Sequence, residues 1–167
     1  KLTYQTTKNR GVYSFCMCPG GFVVNASSEE NMIAVNGMSN HKRDEKCANS
    51  AIIVNVTPED FDGDDALAGV KFQEHLEELA YKACDGKVPV QLYGDFKEGK
   101  ISTKLGDITP NIKGGYKFAD LNTILPKYVS ETLVEGIEAF DKKIKGFARE
   151  DAVLSGVEAR TSSPVRI

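Results

Sequence analysis

The chain has 167 residues, of which 41% are hydrophobic and 27% charged, and this is enough for one domain with a hydrophobic core. Its net charge of −3 comes from interspersed acidic and basic residues, which argues against nucleic acid as a partner. No apolar run is long enough to span a bilayer, so the sequence predicts no membrane partner.

The four cysteines are few and unevenly spaced, and the chain opens without the apolar segment of a signal peptide. This usage favours a reducing cytoplasm. A disulfide between Cys16 and Cys18 would be strained, because only one residue separates them. A zinc set of Cys16, Cys18, His41 and Cys47 can be drawn, but it lacks the second closely spaced ligand pair of structural zinc sites. We therefore predict no metal.

The N-terminal third predicts antiparallel β-structure, with residues 22–38 forming a hairpin. Short β-branched or alternating runs indicate strands at residues 1–6, 12–15, 22–26, 32–38 and 50–56.

A Pro-Gly-Gly sequence separates the second and third of these strands. Pro19 fixes φ, while Gly20 and Gly21 permit positive φ, so the residues predict a tight turn between two strands. Such a turn exposes backbone amides to a flat or anionic ligand. The residues alone leave two interpretations open: a ligand-facing turn, or a plain hairpin turn with buried thiols at Cys16 and Cys18.

Two amphipathic helices are predicted, over residues 66–83 and from Pro126 to Gly146. Asp64 or Asp65 is a candidate N-cap of the first helix. Further strands are predicted at 88–93 and 153–161, with a long loop at 94–115 between the first of them and the second helix. The whole pattern predicts an α+β fold: a mostly antiparallel sheet or partial β-barrel with two amphipathic helices packed on it.

The sequence lacks the motifs of a self-contained enzyme. It contains neither a P-loop nor G-x-G-x-x-G, and neither His41 nor His75 lies in a recognisable triad context. Residues 158–166 combine two arginines with three hydroxyl side chains. Arg160 and Arg166 can bind a phosphate or carboxylate bidentately, or they can be surface arginines of an edge strand.

Long motifs lie along nearly the whole chain, at residues 13–30, 35–39, 43–44, 48–51, 90–96, 139–147 and 160–166. The first opens with Tyr13-Ser-Phe-Cys-Met-Cys-Pro-Gly-Gly-Phe22, and the last reads Arg160-Thr-Ser-Ser-Pro-Val-Arg166. Together these motifs resemble those of the bacterial FAD-dependent dehydrogenases, a family of NAD(FAD)-utilising flavoproteins.

The resemblance implies a larger parent protein, and the missing initiator methionine and abrupt C-terminus lead to the same expectation. In that parent, residues 1–167 form one domain inserted between segments of a Rossmann-type FAD-binding domain, on the substrate side of the flavin. The parent is expected to transfer hydride between flavin and NAD(P)H or a small organic substrate. This chain alone is expected neither to bind FAD tightly nor to turn over. The alternative is a non-catalytic binding or interaction module with no redox role.

The resemblance also implies site residues. Those expected close to the isoalloxazine of FAD are Pro19, Gly20 and Gly21, and the candidates for flavin-side or redox contact are Cys16 and Cys18. The residues expected to bind cofactor where the chain returns to the FAD domain are Arg160, Thr161, Ser162 and Ser163.

Overall fold

The computed structural model describes residues 1–63 and 65–160, and within them it confirms the α+β fold. The strands are β1 (Leu2–Gln5), β2 (Gly11–Asn25), β3 (Val35–Ser39), β4 (Cys47–Val54), β5 (Val88–Leu92), β6 (Ile112–Lys113), β7 (Tyr116–Phe118) and β8 (Val153–Ser155). The α-helices are α1 (Ala68–Cys84), α2 (Tyr93–Glu98) and α3 (Lys127–Asp141), with 3₁₀ turns at Pro58–Asp60 and Leu121–Thr123. By length and hydropathy, no helix in this part of the chain qualifies as a bilayer span.

Strand β2 is the centre of the larger sheet, because the four other strands of that sheet all pair with it. β1 and β4 both pair with residues 12–14, so they lie on opposite edges of β2. β3 and β6 both pair with residues 23–24, so they too lie on opposite edges of β2. Of the four partner strands, β6 is the one that runs parallel to β2. The predicted hairpin over 22–38 is confirmed by the antiparallel register that joins Asn25 to Val35.

The predicted turn at Pro19-Gly20-Gly21 is wrong. β2 continues from Gly11 to Asn25 and joins the two strands expected at 12–15 and 22–26. Its register with β4 slips by one residue between Phe15 and Cys18, and again between Cys18 and Gly21. Each slip is a β-bulge, which accommodates an extra residue without reversing the chain.

The smaller sheet has the order β7-β5-β8, with β7 parallel and β8 antiparallel to the central β5. Pro89 is the second residue of β5. The loop expected at 94–115 contains most of helix α2, and the strand expected at 153–161 is shorter and ends at Ser155. The core between the sheets and helices includes Ile33, Val35, Leu76, Ala80, Val88, Val90, Phe96 and Ile137.

Helices α1 and α3 are the two predicted amphipathic helices. α3 follows Pro126 but ends at Asp141 and not at Gly146, because the Asp141 carboxylate accepts hydrogen bonds from the backbone N–H groups of Gly146 and Ala148. The predicted cap Asp64 lies outside the described residues. Asp65 accepts a hydrogen bond from the N–H of Leu67, the residue before α1.

Candidate functional site

Residues 16–21, here called the bulge segment, form the most irregular part of β2. Cys16 and Gly20 each take a left-handed φ of 49°. Cys16 and Pro19 are exposed, whereas Cys18 is half-buried. Ser39 of the neighbouring strand donates a hydrogen bond of 2.9 Å from its hydroxyl to the Pro19 carbonyl. Bulges are frequent next to active sites, where they redirect side chains out of the regular pleat.

The two glycines of the bulge segment allow other parts of the chain to approach the backbone. A Cβ on Gly20 would lie 1.9 Å from the carbonyl oxygen of Arg43, and a Cβ on Gly21 would lie 2.2 Å from that of Met38. The N–H of Glu45 donates to the Gly20 carbonyl at 3.3 Å. Gly20 therefore seats the loop of residues 40–46 against β2, and this contact holds Arg43 beside the bulge segment.

A small cavity of about 530 Å³ opens between the bulge segment and this loop. Its lining is Met17, Cys18, Pro19, Ser39, Asn40, His41 and Arg43. Apolar surface comes from Met17, which is 42% exposed, and from the Pro19 ring. Hydrogen-bond donors come from the exposed His41 and Arg43. This set suits a flat ligand with polar atoms along one edge.

A second, larger cleft of about 1500 Å³ lies between α1, β4, α3 and residues 152–159. Its walls are mainly apolar and include Ile52, Val54, Phe72, Leu125, Val129 and Leu133. The cleft extends to the bulge segment, because Met17, Cys18 and Pro19 line both cavities. The two spaces therefore meet at Cys18 and Pro19.

Of the described residues, Asp65, Lys145 and Glu158 are the charged residues that line the cleft. Asp65 pairs with Lys71 at 2.6 Å, and Lys145 lies 3.7 Å from the Asp141 carboxylate. Glu158 is half-buried and has no hydrogen-bond or ionic partner within residues 1–63 and 65–160. Removal from water raises the pKa of the Glu158 carboxyl above its usual range.

Arg160 binds carboxylates of its own chain. Its Nε and Nη2 donate to the two carboxylate oxygens of Glu77, each at 2.7 Å, and Nη2 also donates to Glu29 at 2.9 Å. Nη1 donates to the Ser28 hydroxyl at 3.2 Å. These hydrogen bonds raise the pKa of Arg160 further above its usual range. The other expected members of this group, Thr161, Ser162 and Ser163, lie outside the described residues.

The structure does not assemble the zinc set drawn from Cys16, Cys18, His41 and Cys47. All four cysteines are free thiols, and within the described ranges no three His, Cys, Asp or Glu side chains are grouped to hold a metal ion. Cys84 is buried beneath the smaller sheet, and this burial raises the pKa of its thiol.

Sequence reasoning missed three cavity residues. Met17 lies two residues before the predicted turn, and only the continuation of β2 places it in the cavity lining. Arg43 belongs to the short motif at residues 43–44, and that motif was the sequence signal that could have identified it as a site residue. Glu158 lies just before the C-terminal motif. Its signal in the sequence was that it is the one acidic residue in an alternating apolar run, residues 153–159.

A family model described as "FAD-dependent protein, C-terminal domain-like" matches residues 1–161. The chain is also 58% identical over 170 residues to an uncharacterized protein of Clostridium beijerinckii (strain ATCC 51743 / NCIMB 8052). That match covers 100% of this chain and 32% of the relative, so the chain spans about a third of the relative's length.

Proposed function

Because the chain belongs to the family of FAD-dependent proteins with this C-terminal-like domain, we propose that residues 1–167 form the substrate-side domain of an FAD-dependent dehydrogenase. In this proposal the domain is inserted between FAD-binding segments of the same parent chain, which are its partner. The observation that carries the proposal is the position of the bulge segment: Cys18 and Pro19 border both the small donor-lined cavity and the large apolar cleft.

The residues around the small cavity fit the isoalloxazine ring of FAD. Met17 and Pro19 supply apolar surface for the flat ring, and His41 and Arg43 supply donors for its carbonyl oxygens and ring nitrogens. The ADP half has no counterpart in this sequence, which lacks the glycine fingerprint for the pyrophosphate. The FAD-binding segments of the parent would therefore hold that half. When bound, FAD would supply the hydride acceptor or donor of the reaction.

In this proposal, the chain's own residues position the ring and tune its potential. Ser39 fixes the Pro19 carbonyl, and Gly20 allows the backbone contact that holds Arg43 in place. A guanidinium next to the ring favours its reduced, more negative state. Cys16 and Cys18 remain candidates for contact with the flavin or for a redox role.

The large cleft is the proposed substrate side. A small molecule held there would meet the flavin at Cys18 and Pro19, where the two cavities join. Its reaction with the flavin, and the reaction of the flavin with NAD(P)H, are both part of the proposal. The Arg160–Glu77 pair would anchor the chain on α1 immediately before Thr161, Ser162 and Ser163, which are still proposed to bind cofactor.

The test uses the full-length protein as its gene encodes it. We expect FAD at one per chain by absorbance, reduction of that FAD by NADH or NADPH under anaerobic conditions, and reoxidation by a substrate. Arg43→Ala should lower the flavin reduction potential by about 30 mV, the equivalent of ~1.4 kcal/mol for a two-electron couple. Lys42→Ala is the matched control, because Lys42 is also exposed but does not line the cavity.

Two results would count against the proposal. Equal flavin reduction potentials for the Arg43 and Lys42 variants would mean that the flavin does not bind in the small cavity. Full-length protein that neither carries FAD nor binds it on titration would favour the alternative, a non-catalytic binding module built on the large cleft.

A further inference from the structure

We propose that the large cleft binds an elongated apolar molecule that carries a cationic amine, with the Glu158 carboxylate as the counter-ion of that amine. As the identity of a substrate class, this inference rests on the function proposed above. As a binding site, it depends only on the cleft and on Glu158.

The first support is the contrast between Glu158 and the walls around it. Helix α1 contributes Phe72 to the cleft, α3 contributes Leu133, and β4 contributes Ile52. Glu158 is half-buried in the same cleft, so its carboxylate loses water and gains no partner among the described residues, which costs free energy in the unliganded protein. A bound cation would restore the missing interaction.

The second support is that, within the described residues, the two cations closest to this part of the cleft are engaged elsewhere. Lys145, the basic residue among the described lining, lies next to Asp141. Arg160 is two residues from Glu158, but its donors are directed to Glu77, Glu29 and Ser28. Within the described part of the chain, Glu158 is therefore the unneutralised charge of the cleft.

The third support is that the backbone on both sides of Glu158 is held in place. The N–H of Val35 donates to the Val157 carbonyl at 2.9 Å, and the Gln73 side chain donates to the Ala159 carbonyl at 2.8 Å. The backbone at Glu158 is thus held between β3 and α1 before any ligand arrives. A carboxylate on a held backbone loses less conformational freedom on binding than one on a mobile segment.

These features select the ligand by its head group. An anionic head would be repelled by Glu158, and a neutral head would gain no ion pair. A protonated amine gains a charge-assisted hydrogen bond, while its apolar tail buries against the walls of the cleft. An apolar face of another protein domain would use the walls but not the carboxylate.

The experiment compares three probes that share one tail: n-octylamine, n-octanol and octanoate. Each is titrated into the full-length protein by calorimetry at pH 7.5, with its flavin oxidised. We expect octylamine to bind about tenfold more tightly than octanol, and octanoate to bind most weakly. Glu158→Gln should reduce octylamine affinity about tenfold and leave octanol affinity unchanged. The control Glu30→Gln removes an exposed carboxylate away from the cleft and should change neither.

Equal affinities for the three probes, or no binding by any of them, would overturn the inference, including the case in which another domain fills the cleft. An amine preference that survives Glu158→Gln would also overturn it, because the counter-ion would then be another group. Flavin content and reducibility are recorded in the same samples. Failure of the flavin proposal therefore shows as colourless or unreducible protein, independently of the calorimetry.

Discussion

Arg160 donates two hydrogen bonds of 2.7 Å to the Glu77 carboxylate, a side chain with 0% solvent exposure. The pair joins α1 to the last described residue of the chain. The pair matters for stability mainly because Glu77 is buried: a buried carboxylate that loses its partner keeps the full free-energy cost of desolvation.

Arg160→Ala is therefore expected to lower the free energy of unfolding by about 3 kcal/mol, the lower end for a broken buried pair because the guanidinium is partly exposed. Urea denaturation of the variant and of wild type measures the difference. Adding Glu77→Gln should restore part of the loss, since the charge that needs a partner is then gone. A loss below about 1 kcal/mol in the single variant would mean that water replaces the guanidinium.

Helix α3 packs directly on β2 at Gly136. A Cβ there would lie 2.6 Å from a methyl carbon of Val12, which is itself 0% exposed. Gly136→Ala should cost about 1–3 kcal/mol through overpacking, although alanine is the better helix former by ~1 kcal/mol. A lower thermal unfolding temperature would thus show that overpacking dominates, and a higher one that helix propensity dominates. Shortening Val12 to Ala in the same chain should remove the overpacking component.

The two bulges of β2 provide a matched pair of substitutions, because Cys16 and Gly20 have the same φ of 49°. Gly20→Ala adds a Cβ that would overlap the Arg43 carbonyl, so we expect a loss of at least ~2 kcal/mol from strain and clash. Cys16→Gly relieves the left-handed strain of a residue with a side chain and should be neutral or stabilising by up to about 1 kcal/mol. Destabilisation by Cys16→Gly would show that the thiol itself supports the bulge.

Glu158 should make stability depend on pH in the direction opposite to most acidic residues. Its folded-state pKa is raised by burial, so the fold is favoured below the unfolded pKa of about 4.3 and loses stability as pH rises through the folded value. Glu158→Gln should therefore raise the unfolding temperature at pH 7.5 and leave it unchanged at pH 4. The facing charges Asp65 and Lys145 are paired with Lys71 and Asp141 and are the same in both proteins.

Glu30→Gln serves as the control for that pH comparison, because it removes a carboxylate that is exposed to water. Its unfolding temperature should follow wild type at both pH values. If Glu158→Gln raised the unfolding temperature as much at pH 4 as at pH 7.5, the cause would be packing of the amide and not loss of the charge.

Local periodicity was sufficient to predict α1, α3 and β4, because the residues that define each element lie close together in the sequence. The continuity of β2 was not predictable in this way. Pro19-Gly20-Gly21 has the local chemistry of a turn, and the fact that decides against one is the approach of the Arg43 carbonyl to Gly20, more than twenty residues away. A contact of that kind has no local signal.

In the candidate site, too, features set by local sequence were predictable and those set by distant contacts were not. Of the residues that the resemblance implied, Cys18 and Pro19 line both cavities, whereas Cys16 and Gly20 line neither, and contact of any of them with a flavin stays a prediction. His41 was considered as a zinc ligand and as a triad base but not as a residue of this cavity, because nothing in the sequence shows that the loop of residues 40–46 folds back on β2. Among the described residues Glu158 has no partner because Arg160 is directed toward Glu77 on α1, and only the assembled fold determines that direction.

The pairing of β2 with β6 has a consequence for the synthesis of the protein. Val23 pairs with Ile112, and the roughly 90 residues between them take on the order of 5–20 s to translate at about 5–20 residues per second. Until then the β-branched edge at Val23 and Val24 lacks its parallel partner on the ribosome. An unpaired strand edge is a template for association with other nascent chains, so slow translation or dense polysomes should favour aggregation of this domain.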